Sequence, residues 1–387
     1  MASNPTNPNP TRHIETLAVH AGQPVDSATS AVATPIYLST TFERGVEGDY
    51  PRGFSYSRDD NPNRAALEKC VAAMEGGTRA LAFPSGIAVA SAVLQALRPG
   101  DHVLAPSDIY HGFRKAVSGV FDHMSLQVSY VDFSDAANVA AALRLNTRLI
   151  WMETPSNPLL KITDITAIVE IARKAGVTTV CDGTFATPVL QRPLDFGVDL
   201  VAHSTTKYFA GHSDVVGGVL ICRKENAVFD HARRSQRLGG AVPSPFDCWL
   251  TLRGIATLPC RVRVQSASAQ AIAEFLNRHA SVELVFYPGL PSHPGHQTAR
   301  RQMSMFGGVL SFLVKGGSEA AMRVAAATEI LIRATSLGGT HSLIEHRASA
   351  EGPQSQTPQN LLRLSIGLEN TEDLIADLDQ ALKRAKA

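Results

Sequence analysis

Residues 198–218 read VDLVAHSTTKYFAGHSDVVGG, and the fold turns on how that stretch is taken. An apolar run of strand length, beginning at Val198, stops at a cluster of hydroxyl residues and one lysine, Lys207. Three runs upstream have the same form: DHVLAP at 101–106, TRLIWME at 147–153 and VTTVCD at 177–182. Helical patterns such as NRAALEKCVAAM at 63–74 and ITAIVEIARKAG at 165–176 lie between such runs. Short buried runs rich in Val and Ile, alternating with helices, predict βαβ units and a mostly parallel central sheet in an α/β fold.

Working outward, residues 11–60 are rich in Thr, Ser, Gly and Pro with few periodic apolar positions, which predicts an extended arm (1–60) packing on something else, such as another subunit. The α/β pattern extends over 61–258, including one long helical region around 246–279 that crosses into the C-terminal part. The remainder, 259–387, mixes strands GGVLSFLV and LLRLSIG with helices SEAAMRVAAAT and TEDLIADLDQALKRA, a smaller α+β domain. The chain of 387 residues exceeds one ordinary domain, and 44% hydrophobic with 18% charged residues is the composition of a soluble globular protein. A net charge of +1 gives no electrostatic footprint for nucleic acid, and no apolar run approaches the ~18 residues of a membrane span. The first 13 residues are polar and proline-rich, without an apolar signal core, and read as a disordered tail. Five scattered cysteines, Cys70, Cys181, Cys222, Cys248 and Cys260, contain no CxxC pair, which argues for reduced thiols in a cytoplasmic protein and against disulfides or zinc.

Ligands of open α/β sheets bind beyond the carboxyl ends of the strands, and here those ends carry reactive residues. VTTVCD runs into Asp182, TRLIWME into Glu153 and Asn157, DHVLAP into Tyr110, and VDLVAHS into Ser204, Thr206 and Lys207. In FPSGIAVASAVLQAL, Ser85 and Gly86 stand where a helix begins, a natural phosphate seat because free N–H groups and the helix dipole point there. A lysine whose basicity is lowered can form a Schiff base with an aldehyde. A buried carboxylate can hold a pyridine nitrogen protonated, and a tyrosine can stack on the ring. Together these describe a pyridoxal-phosphate site. Taken singly, each has an ordinary explanation: Asp182 as a helix N-cap, Lys207 as a solvated loop residue, Tyr110 as a ring at the edge of the core, Ser85-Gly86 as a turn.

Longer motifs carry a resemblance. TPIYLSTTF at 34–42, YSRDDNPNR at 56–64, ETPSNP at 153–158, TFATPVLQRPLDFGVDLVAHSTTKYFAGHSDVVGG at 184–218, SLGG at 336–339 and LLRLSIGLE at 361–369 resemble the Cys/Met-metabolism, pyridoxal-phosphate-dependent transsulfuration enzymes over nearly the whole chain. The resemblance implies a fold-type I, aminotransferase-like architecture with pyridoxal 5'-phosphate as cofactor. It implies Lys207 as the cofactor-binding and catalytic lysine, and Asp182 opposite the pyridine nitrogen. Tyr110 is implied to stack on the ring and assist proton transfer. Gly86, Ile87, Ser204 and Thr206 are implied at the phosphate, with Thr184 also on the cofactor. Tyr56 and Arg58 would reach the phosphate of a neighbouring subunit in a homotetramer of two tight dimers. Arg363, Asn157 and Ser336 would hold the substrate carboxylate, and Arg363 suits that work because its planar fork binds a carboxylate bidentately.

The activity implied is γ-replacement or γ-elimination on homoserine-derived amino acids, of the kind cystathionine γ-synthases and γ-lyases perform. Methionine γ-lyase, homoserine-ester sulfhydrylase or replacement with a non-cysteine nucleophile are the alternatives. The chain departs from the family pattern at Gly183, where DNTF reads DGTF, at His111 after Tyr110, at Asn63 in NPN, and at Thr340 and His341, where an aromatic and a glutamate are usual. Gly183 is expected to loosen cofactor positioning. The others are expected near the distal half of the substrate, with His341 able to favour a carboxylate or an uncharged group over an ammonium. Ser204-x-x-Lys207 also fits a serine acyl-enzyme motif, but its S-D-N and K-T-G companions are missing. His293, His296, His341 and His346 match no metal-ligand spacing, and no nucleotide-binding glycine motif occurs. A catalytically silent relative is disfavoured by the joint presence of lysine, acid, ring and arginine.

Overall fold

Each apolar run that ends in polar residues becomes a strand of one sheet. In the computed structural model, which describes residues 12–352 and 355–384, the strands are β1 (Arg79–Phe83), β2 (His102–Pro106), β3 (Gln127–Val131), β4 (Thr147–Glu153), β5 (Thr178–Asp182), β6 (Leu200–His203) and β7 (Gly218–Cys222). Most of the expected N-terminal tail, residues 1–11, lies outside the described residues. The spatial order is β1-β7-β6-β5-β4-β2-β3; all pairings from β6 to β3 are parallel, and β7 runs antiparallel to β1 and β6. Parallel pairing needs a helix between strands, and the helices Ile165–Ala175 and Gly86–Leu94 cover opposite faces. Side chains alternate between those faces: Ile150, Cys181 and Val201 join one apolar cluster, while Leu149, Val180 and Leu200 join the other.

Register brings the chemistry to one edge. Glu153 pairs with Asp182, and Asp182 with Ala202, so the ends of β4, β5 and β6 finish level.

The C-terminal part forms a second sheet, with strands β8 (Val282–Phe286), β9 (Val309–Val314), β10 (Ile332–Arg333), β11 (Leu343–His346) and β12 (Leu361–Ser365) in the order β10-β11-β12-β9-β8. Its own apolar cluster includes Phe312, Leu364 and Leu378. The 21-residue helix Leu258–Arg278 joins the two cores: Leu258 and Val262 pack in the first, Ile272 and Leu276 in the second. The helical region expected around 246–279 is therefore two helices, Pro245–Ile255 and Leu258–Arg278. Pro259 sits in the first turn of the second, where its missing N–H costs nothing, and it cannot continue the first.

The arm is held by the start of the helix Pro62–Glu75. Asn63 is fully buried, accepts from the Tyr37 amide at 2.7 Å and donates to the Pro35 carbonyl at 2.8 Å. Asn63 was expected near the substrate; it instead pins the arm, because an amide side chain can satisfy both a donor and an acceptor of an extended segment at once. Arg64 and Trp249 add bonds to the Ser57 and Thr34 carbonyls, both at 2.8 Å. Among the described residues no helix is long and apolar enough to cross a membrane.

Candidate active site

The level strand ends floor a cleft of about 270 Å³ whose walls come from both halves of the chain. Asp182 closes β5, and its Oδ1 accepts from the Thr184 amide at 2.9 Å. Burial raises its carboxyl above the ordinary carboxylate range, and the Thr184 hydrogen bonds and the His203 charge oppose that rise. Such a group becomes a stable anion when a cation is placed against it. Glu153, next door on β4, accepts from the Tyr110 amide at 2.9 Å and the Asn157 amide at 3.0 Å. It thereby fixes two loops, and burial first, then repulsion from Asp182, pushes its carboxyl well up.

Ser85 caps the helix Gly86–Leu94 by accepting from the Ala88 amide at 3.1 Å. The Gly86 and Ile87 amides have no protein acceptor among the described residues. A side chain at position 86 is excluded, because a Cβ there would stand 2.8 Å from Ser204 Cβ. Ser204 and Thr206 flank the same point; the Ser204 amide is held by Thr184 Oγ1 at 2.9 Å, and Thr206 Oγ1 accepts from the Gly217 amide at 3.0 Å. Backbone donors with two hydroxyls at a helix start form an anion seat.

Lys207 stands opposite, donating to Ser336 Oγ at 3.0 Å. Burial, followed by the Arg363 charge, lowers its ammonium from 10.5 to about 8, so the neutral amine is reached far more readily than on a solvated lysine. Ser336 holds a left-handed backbone, φ +91°, pinned on one side by Lys207 and on the other by Arg363, whose Nη2 donates to the Ser336 carbonyl at 2.9 Å. Arg363 also donates to Asn157 Oδ1 at 3.0 Å and Glu345 Oε2 at 2.6 Å, and burial pulls its guanidinium down to about 10. Its Nε carries no partner among the described residues.

The structure thus gathers Lys207, Tyr110, Asp182, Thr184, Gly86, Ile87, Ser204, Thr206, Asn157, Ser336 and Arg363 around one cleft. Tyr56, Arg58 and His341 do not line it. Tyr56 is 47% exposed, and Arg58 points to the Arg237 carbonyl at 2.6 Å. His341 is exposed on its loop beside Thr340 Oγ1, and His111 lies outside the lining as well. Ser204 Oγ sits by Gly86, while the lysine amine bonds Ser336, which disfavours the acyl-enzyme arrangement. Among the described residues no group of histidines, cysteines and acids could hold a metal. His293 lies in a loop and is buried, and burial lowers its imidazole to about 4.

Sequence reasoning missed Arg347, which lines the cleft and bonds Glu345 at 3.0 Å and Glu351 at 2.8 Å, and it missed Glu345 and His203. Glu345 faces Arg363 across β11 and β12. The alternation Glu345, Arg347 was visible, but its partner strand was not.

The family described as Cys/Met metabolism PLP-dependent enzyme matches residues 15–383. The chain is 50% identical over 373 residues to a cystathionine gamma-synthase of Mycobacterium tuberculosis, across 95% of this chain and 96% of that protein. It is 41% identical over 385 residues to a cystathionine beta-lyase of Coxiella burnetii, across 97% and 99% of the two chains. A crystal structure of cystathionine gamma synthase from Xanthomonas oryzae pv. oryzae in complex with cystathionine superimposes with a TM-score of 0.92 at 42% identity, covering 97% of this chain and 99% of that one.

Proposed function

The chain belongs to the Cys/Met metabolism family of PLP-dependent enzymes, and from that premise we propose that it performs γ-replacement or γ-elimination on a homoserine-derived amino acid, with γ-replacement of the cystathionine γ-synthase kind as its main reaction. The observation that carries this is the convergence of Lys207, Asp182, the Gly86 anion seat and Arg363 on one cleft. Replacement is favoured over elimination because the relative at 50% identity is named a synthase.

The residues fit the family's cofactor, pyridoxal 5'-phosphate. The unspent Gly86 and Ile87 amides, with Ser204 and Thr206, suit its phosphate, and Asp182 suits its ring nitrogen. When bound, the cofactor supplies an aldehyde for an amine and an electron-withdrawing ring. Tyr110 offers a ring face at the mouth of the cleft. Arg363, oriented by Asn157 and Glu345, takes the substrate α-carboxylate with its free Nε edge. Lys207 Nζ, lowered to about 8, would serve as the base for the proton on the substrate Cα.

The reading extends to the assembly. Tyr56 and Arg58 lie outside this chain's own cleft on an exposed arm, which supports their reaching a neighbour's phosphate in a homotetramer built of two dimers. Two sheets with separate apolar clusters support the division into the arm 1–60, a cofactor-binding domain 61–258 and a C-terminal domain 259–387. Five free thiols, four of them buried, support a cytoplasmic enzyme.

The test is a substrate panel of O-acyl homoserines with cysteine, cystathionine alone, methionine and homocysteine, scored separately for thioether product and for 2-oxo acid. Thioether formation from a homoserine ester and cysteine is the expected main activity. Turnover of methionine to a 2-oxo acid, with no thioether product, would replace this reading with a methionine γ-lyase.

A further inference from the structure

Behind Asp182 lies a buried ionisable pair that the reading above leaves unused. Glu75, the last residue of the helix Pro62–Glu75, places Oε1 2.6 Å from Nε2 of His203, the last residue of β6, and neither side chain touches solvent. Glu75 Oε2 and His203 Nδ1 have no hydrogen-bond partner among the described residues. His203 lines the cleft beside Asp182, and its ring packs on Phe209 with centroids 4.9 Å apart. The ring also fills space next to the floor of the site, since a Cβ built on Gly183 would stand 2.8 Å from His203 Cε1. Gly183, expected to loosen the cofactor's position, instead leaves room for an imidazole.

An ionised carboxylate with one partner survives in a protein interior only beside a cation. The groups facing this pair are Asp182 and the Cys181 thiol from β5, Glu153 beyond them on β4, and the uncharged Phe209 ring. Among these buried groups His203 alone can carry positive charge; Arg192 and Arg223, near Gly76 at the end of the same helix, are half-exposed and paired with Asp195.

We propose that Glu75 holds His203 as an imidazolium and that this cation keeps Asp182 ionised opposite the ring nitrogen of pyridoxal phosphate, which makes Glu75 and His203 a positioning pair acting through Asp182. The inference rests on Asp182 facing that nitrogen, so the experiment separates the two. Dissociation constants are measured for the full-length enzyme stripped of cofactor and reloaded with pyridoxal phosphate or with its 1-deaza analogue, in which carbon replaces the ring nitrogen. The wild type prefers pyridoxal phosphate. Glu75→Gln reduces that preference about tenfold by weakening pyridoxal phosphate alone, and His203→Gln does the same. A purely structural role would weaken both ligands equally, and an unchanged preference in either folded variant overturns the pair. Asp182→Asn is the control: if it keeps the wild-type preference, the Asp182 reading itself falls. If it removes the preference while Glu75→Gln does not, only the pair falls. The wild-type holoenzyme labelled with ¹⁵N-histidine gives a readout independent of any variant. Both His203 nitrogens are expected to be protonated near neutral pH, and a neutral ring overturns the proposal.

Discussion

At the scale of the residue, Lys207 concentrates the argument. Its ammonium is buried among two arginines and one glutamate, with Arg363 and Arg347 lowering and Glu345 raising its proton affinity. The net result, about 8 against an ordinary 10.5, means that the unfolded chain holds a proton that the folded site releases between those values. Stability therefore rises with pH across that window, and the full penalty of burying the charge is present below pH 8. Two outcomes follow. Lys207→Ala abolishes the visible absorbance of the holoenzyme and its turnover; a coloured, active variant would refute the assignment. In cofactor-free enzyme, Lys207→Met gains stability over wild type at pH 7, and denaturant titrations should find that gain smaller by roughly 2 kcal/mol at pH 10.

At the scale of the element, the helix Gly86–Leu94 shows how a capping residue creates a binding site. Ser85 satisfies the Ala88 amide and leaves those of Gly86 and Ile87 pointing into the cleft. The helix can approach the turn after β6 only because position 86 lacks a side chain. Gly86→Ala should push that turn away. Dissociation constants for pyridoxal phosphate are expected to rise more than about tenfold, with far less change in the melting temperature of cofactor-free enzyme, because alanine is otherwise the better helix former. Retained affinity would show that the seat tolerates a wider gap.

At the scale of the whole molecule, the arm and the long helix Leu258–Arg278 tie the parts together. Arg261 on that helix reaches the Tyr208 carbonyl at 2.9 Å, so the C-terminal half buttresses the turn that carries Lys207. The arm is pinned at Asn63 and Arg64 but presents Arg58 outward, where it meets Asp59 at 3.2 Å, the Arg237 carbonyl and the Tyr56 ring. Arg58→Ala is expected to retain the chain's fold, weaken cofactor retention several-fold and shift sedimentation toward smaller species. A fully active monomer would contradict a shared site.

Sequence by itself determined the strands that end in Glu153 and Asp182, the strand that leads into the turn of Lys207, the helix starting at Gly86, and hence the family and its cofactor. Those features are local: a strand of apolar residues and a helix cap declare themselves within a few positions of the residues they present. It did not determine that Asn63 faces the arm, that His293 is buried, that Arg347 and His203 stand at the cleft, or that Glu345 holds Arg363 from behind. Three of those depend on a partner far along the chain, namely Tyr37 for Asn63, Arg363 for Glu345, and Glu75 for His203. Whether a polar side chain is a surface residue, a tether or a buried ion is decided by what the fold packs against it, and only the tertiary structure supplied those neighbours.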